Sequence, residues 1–187
     1  MDLAATMSPM EWSRQGCEAQ QFQGWRPFGE LTHAELPKEP GVYVIVTRPS
    51  SKRPDFLEAS VGGTHKNEPL TVEVAELEHN WQPGAEVLYI GMAGSSNGLH
   101  DRLWAYARQG RGRSAGHRGG RFLWQWPQSD ELLVAWRTTD SLNAHDVEDA
   151  LLALYIEEFK DRPFANLKDG YRFTPEHARE LLTGWLI

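Results

Sequence analysis

The side chains of this sequence whose spacing could serve phosphate chemistry are tyrosine, arginine and glutamate. Tyr43 and Tyr89 each sit in a short β-branched and aromatic run, GVYVIV and VLYI. Arg102 and Tyr106, four residues apart, project from one face of a helical segment that begins at Leu99. If the two runs are neighbouring strands, both tyrosines and the arginine meet at one end of a sheet. A phenol titrates at about 10, so a tyrosine acting as a base needs a cation nearby to favour phenolate. Arg102 supplies a permanent charge and a bidentate grip on phosphate. Ordinary core and rim packing is the competing reading of these four residues. On a later helix stand Glu148 and Asp149. A single inward carboxylate there could hold one Mg2+, which keeps several waters and takes phosphate oxygens as its other ligands. Glu157 and Glu158 read as the solvated face of the same helix.

Six arginines, Arg102, Arg108, Arg111, Arg113, Arg118 and Arg121, fall between His100 and Arg121 against one acid, Asp101. The whole chain carries a net charge of −7, which argues against a general nucleic-acid binder, while this local run argues the other way. Its glycine-rich part, RQGRGRSAGHRGG, reads either as a solvated loop or as a surface that holds phosphates. His117, inside it, and His145 are further candidates.

These groups need elements to position them. The runs at 41–46 and 85–91 read as the two firmest strands, and LLVAWRTT (132–139) as a third. RFLWQW (121–126) reads as a strand that pairs with it across PQSDE. A short strand in FLEASV and a peripheral strand in LTVEVAELEHNW (70–81) are expected within a turn-rich stretch. Helices are expected at 99–107, at 140–161 and at 174–187, the last with Thr174 as N-cap and Pro175 in its first turn. Residues 1–38 read as an irregular leader anchored by Trp12, Trp25 and Phe28. Sequential strands with short connections favour an α+β domain: a small central antiparallel sheet flanked by helices, with an insertion at 49–82 between the first two core strands.

At 187 residues and 40% hydrophobic content, one domain over 1–187 is expected, with its core at about 39–168. No stretch reaches the ~18 apolar residues of a membrane helix, so no membrane partner is expected. The first residues lack the basic-then-apolar pattern of a secretory signal. One cysteine, Cys17, excludes an internal disulfide, and a cytoplasmic location is the default expectation.

Taken in order, Gly41-Val42-Tyr43, Tyr89-Ile90-Gly91, Arg102 with Tyr106, and Pro163-Phe164-Ala165-Asn166 resemble the GIY-YIG nuclease superfamily. The plan is most similar to the N-terminal domain of the bacterial excinuclease incision subunit. Each tripeptide alone is weak evidence; four ordered elements over roughly residues 39–168 are more specific. The resemblance implies a three-stranded antiparallel sheet between helices and metal-dependent hydrolysis of DNA. It implies one Mg2+ or Mn2+ bound by a helix glutamate, a tyrosine beside the attacking water and an arginine on the phosphate. By position, Tyr43 and Tyr89 are the tyrosine pair, Arg102 the cation and Tyr106 the second helix residue. Gly41, Gly91 and Asn166 are structural supports. Arg108, Arg111, Arg113, Arg118 and Arg121 would then hold flanking phosphates with little base reading, and His117 among them is a further catalytic candidate.

The chain departs from the family pattern in three places. Met92 follows YIG where many relatives carry lysine. The expected glutamate position falls on Leu152 or Leu154, and the nearest acid of suitable phase is Glu148, one turn earlier. The stretch 49–82 exceeds the usual short hairpin and offers a specificity element, a lid or a surface for a protein partner. The first expectation is therefore a DNA endonuclease, with RNA as an alternative substrate. The second is a catalytically weakened relative that binds nucleic acid or protein. A small-molecule pocket lined by some of the eight tryptophans ranks last.

Overall fold

The computed structural model describes residues 10–50, 52–94, 97–115, 119–140, 142–170 and 172–186. In chain order these form helix α1 (Arg14–Ala19), strand β1 (Gln23–Pro27), β2 (Gly41–Val46), α2 (Val74–Asn80) and β3 (Val87–Ala93). Then come α3 (Gly98–Gly110), β4 (Leu133–Thr138), α4 (Ala144–Phe159) and α5 (Pro175–Leu182), with short 3-10 turns between. The fold is α+β: a four-stranded antiparallel sheet of order β1-β4-β2-β3.

Every residue of β2 is buried, because GVYVIV pairs on both sides and is covered on both faces. Alternation splits the strand in two. Tyr43 and Ile45, with Tyr89, Val134 and Trp136, face Leu99, Leu103 and Tyr106 of α3. Val42, Val44 and Val46, with Ile90 and Ala135, face α4 and α5 through Val147, Leu151, Tyr155 and Leu182. Helix α4 is apolar most of the way round because the sheet and α5 both pack on it. The Asn143 side chain caps it, accepting from the amides of His145 (2.9 Å) and Asp146 (3.3 Å). Helix α5 starts as expected, with Thr174 accepting from the His177 amide.

Four expectations are corrected. The leader is not irregular: it supplies α1 and β1, and β1 adds a fourth strand beside β4. Positive φ at Gly24 and Trp25 and a register shift between Gly24 and Arg26 break the alternation that would have announced a strand. RFLWQW is a 3-10 turn (Arg121–Gln125) entered through a left-handed Gly120. Its residues Phe122 to Gln125 are all buried, so there is no half-exposed face for a strand to alternate. Within 70–81 a helix, α2, forms rather than a strand, and FLEASV forms no strand.

The insertion is tied down rather than hinged. Gln125, fully buried, donates to the carbonyls of Leu57 (2.8 Å) and Val72 (3.0 Å), and its side-chain oxygen accepts from the Val72 amide at 2.7 Å. Phe56, Leu70 and Leu77 join the core on the α3 side. Among the described residues no helix is long and apolar enough to cross a membrane.

Candidate active site

The strand–loop–helix at 87–110 places Arg102. Leu99 donates its amide to the Glu39 carbonyl (3.1 Å), docking the start of α3 beside the start of β2. Gly98, at φ +45°, permits this approach: a Cβ there would lie 2.0 Å from the Glu39 oxygen. Arg102 Nε donates to the Met92 carbonyl at 3.2 Å, so the helix charge is anchored just beyond the glycine of β3.

The tyrosines do meet. Tyr43 lies opposite Gly91 and Tyr89 opposite Ile45, on one face of the β2–β3 pair. The Tyr43 and Tyr89 ring centroids are 5.9 Å apart, and those of Tyr89 and Tyr106 are 6.1 Å apart. Gly91 makes the room, since a Cβ there would come within 2.6 Å of both the Tyr43 and Tyr89 rings. The three phenols have different surroundings. Tyr106 is wholly buried and donates to the Gly120 carbonyl at 2.9 Å. The Tyr43 hydroxyl is buried and makes no hydrogen bond among the described residues. Tyr89, 7% exposed, is the one that lines a cavity.

That cavity, of about 530 Å³, is lined by Tyr89, His145, Glu148, Asp149, Asn166 and Arg172, among others. A second, of about 700 Å³, is lined by Arg102, Met92, Gly94, Asp101 and Asn143, and shares His145 with the first. Arg102 of α3 lines one cavity and Glu148 of α4 the other, with His145 in both linings. Burial, then the neighbouring Asp149, push the Glu148 carboxyl up to about 7 against the opposing pull of Arg102. Burial and then Glu148 push Tyr89 up to about 12; Arg102 acts against this. The Tyr43 phenol also favours the Tyr89 phenolate slightly, although no hydrogen bond of good geometry joins the two hydroxyls. Burial likewise raises Tyr43 and Tyr106 well above the ordinary phenol value. At neutral pH all three are phenols, and Tyr89, which lines the cavity, can orient a water or a phosphate oxygen. Burial outweighs the pull of Arg102 on each phenol, so the nearby cation that a tyrosine base would need does not favour phenolate here.

Asn166 is a support with a visible job. Its side-chain oxygen accepts from the Ile90 amide (2.9 Å) and its nitrogen donates to the Ile90 carbonyl (2.8 Å). Together with Ala165 donating to the Leu88 carbonyl, it satisfies the free edge of β3 on both sides of Tyr89. Gly41 is equally confined, a Cβ there lying 2.5 Å from the Arg137 carbonyl.

The arginines separate into two groups. Arg111 is structural: its guanidinium donates to the carbonyls of Leu31 (2.6 Å), Gly29 (3.3 Å) and Phe28 (3.4 Å) and stacks over Trp104. Arg121 lies over Phe122 and near Glu76 (3.7 Å). Arg108 and Arg113 are exposed. His117 and Arg118 lie outside the described residues.

The sequence reading missed Arg172 and gave Asp149 and His145 little weight. His145, Glu148 and Asp149 follow an i, i+3, i+4 spacing on α4, and their ligand atoms all lie within 4.8 Å of one another. Arg172 Nε is 3.4 Å from Asp149 Oδ2, and the same guanidinium reaches Asp146 at 2.6 Å. The helical spacing was legible in the sequence; Arg172, brought in from beyond the helix, had no signal there. Two carboxylates and an imidazole of this closeness suit one divalent cation. No family model matches the sequence, no curated protein is similar to it, and no solved structure matches its fold.

Proposed function

We propose that this protein is a metal-dependent phosphodiesterase of the GIY-YIG kind that cuts DNA. The observation that carries this reading is the convergence of Tyr89, Arg102 and Glu148, from three different elements, on two cavities that share His145 in their linings. One divalent ion, Mg2+ or Mn2+, at Glu148 would supply Lewis-acid activation of the phosphate and a clamp on the leaving oxygen. Arg102 balances the extra negative charge of the transition state from the neighbouring cavity. Tyr89, as a neutral phenol, holds the attacking water or a phosphate oxygen by hydrogen bond. Asn166 and Gly91 fix Tyr89 through the β3 backbone and the space beside its ring. Exposed Arg108 and Arg113 hold flanking phosphates without reading bases. A cytoplasmic location accompanies this reading, in keeping with a single buried, unpaired cysteine.

The binding-module reading is favoured by one specific observation: Arg172 already pairs with Asp149 beside Glu148, which shields the acidic end of the cavity. In that reading the phosphate surface, or the anchored insertion at 49–82 with a protein partner, does the work. Cleavage of a panel of labelled DNAs and RNAs with Mg2+ or Mn2+ separates the two. A nuclease cuts, stops in EDTA, and loses about 10²–10³ in rate in Arg102→Ala, as for removal of a transition-state donor, with its fold intact. Cutting that is indifferent to both Arg102→Ala and Glu148→Ala would sink the assignment of this site.

A further inference from the structure

We infer that His145, Glu148 and Asp149 together form a three-ligand centre that selects a first-row transition divalent cation over Mg2+. The three donors come from successive turns of one capped helix, where Asn143 fixes the first turn by accepting from the amides of His145 and Asp146. Their ligand atoms all lie within 4.8 Å of one another, and His145 Nδ1 and Asp149 Oδ2 are 3.6 Å apart, against the roughly 3–4 Å between donors around one ion at bond lengths of ~2.0–2.2 Å. Side-chain torsions can close any remaining difference without moving the helix.

One further observation points to a ligand. Among the described residues His145 Nδ1 is buried and makes no hydrogen bond, with Asp149 Oδ2, the oxygen paired with it, 3.6 Å away. That nitrogen lacks a partner that a hydrated cation would supply. Tyr89, more than nine-tenths buried, lines the same cavity. Imidazole is what changes the selectivity: carboxylates and water alone suit Mg2+, whereas an added nitrogen donor favours Mn2+, Co2+ or Zn2+. Arg172 occupies Asp149 Oδ2 as a stand-in positive charge that an arriving cation displaces.

This inference deepens the metal part of the nuclease reading, yet metal binding is measured without nucleic acid, so either can fail alone. The test is calorimetric and EPR titration of the full chain with Mn2+ alone, repeated in competition with Mg2+. One saturable ion is expected, held at least tenfold more tightly than Mg2+. His145→Ala and Asp149→Asn should each weaken Mn2+ by tenfold or more, and His145→Ala should also erase the preference over Mg2+. Glu157→Gln, on the same helix but paired with Arg179, removes equal charge and should change affinity less than twofold. Circular dichroism of each variant checks the fold. Absence of saturable Mn2+ binding overturns the centre. So does His145→Ala with unchanged affinity and selectivity, or Glu157→Gln weakening Mn2+ as much as Asp149→Asn.

Discussion

Replacing Glu148 by glutamine should stabilise the metal-free protein, and only above a defined pH. Its carboxyl is raised from 4.5 to about 7, chiefly by burial. Below about 4.5 the group is protonated in folded and unfolded chains alike, and its contribution is fully present. As the pH rises through about 7 the unfolded chain has already ionised while the folded one resists, so that stability is lost. At about 1.4 kcal/mol per pH unit between those two values, the loss approaches about 3.5 kcal/mol. Solvent reaching the cavity side of the carboxyl reduces this to about 1–3 kcal/mol. Glutamine mimics the protonated acid at every pH. Glu148→Gln should therefore melt roughly 3–9 °C above wild type at pH 8, with the gap closing near pH 5. Thermal melts in EDTA across that range read it directly. A divalent cation should reverse the order, because it rewards the ionised carboxylate and gives nothing to the amide. A variant less stable than wild type at pH 8 without metal, or a gap independent of pH, would refute the claim that this carboxyl is desolvated.

Asn166→Ala removes both hydrogen bonds to Ile90 and should cost about 2–3 kcal/mol in chemical denaturation, with loss of any activity that depends on Tyr89. Gly91→Ala places a methyl 2.6 Å from two tyrosine rings and should destabilise by about 1–3 kcal/mol; an unchanged denaturation midpoint would show that the rings yield freely. Arg111→Ala should lower stability by about 1–2 kcal/mol through its lost carbonyl contacts, leaving the salt dependence of DNA binding unchanged. Arg108→Ala with Arg113→Ala should do the opposite, leaving stability alone and flattening the log–log salt slope of binding by about 2.

What the sequence made legible is what local pattern encodes. Strands β2, β3 and β4 carry β-branched and aromatic runs, and α3 and α4 carry clear apolar spacing, so the frame that brings Tyr89, Arg102 and Glu148 together was readable. Strand β1 was not, because Gly24, Trp25 and a register shift disguise its period. The 3-10 turn at Arg121–Gln125 looks like a strand in composition; only the insertion bound to Gln125 shows why all of it is buried. Arginine illustrates the limit most plainly. Six residues of one type, close in sequence, look like one basic surface, yet Arg111 spends its charge on backbone carbonyls, while Arg102 is positioned at the site by a bond from its Nε to the Met92 carbonyl. Such partners are set by tertiary contact, not by neighbours in the chain.

The burial of the tyrosines narrows what chemistry the site can perform. Three phenols packed about 6 Å apart on the α3 side of the sheet are desolvated, Tyr43 and Tyr106 fully and Tyr89 except where it lines the cavity, and burial keeps all of them protonated. In the proposed nuclease reaction, proton removal from an attacking water would then have to come from another group. Glu148 is the carboxyl placed near neutrality, at about 7, but a carboxylate bound to a cation no longer titrates there. Ligand and base are thus exclusive roles for Glu148. If it held the ion, acidity conferred by the ion would replace a protein base and the proton of the attacking water would pass to solvent through the cavity beside Arg102. If it acted as the base, a cation would be left with His145 and Asp149 alone, a poorer pair. In the nuclease reading, three donors on successive turns of one helix favour Glu148 as ligand, with Tyr89 ordering the water rather than deprotonating it.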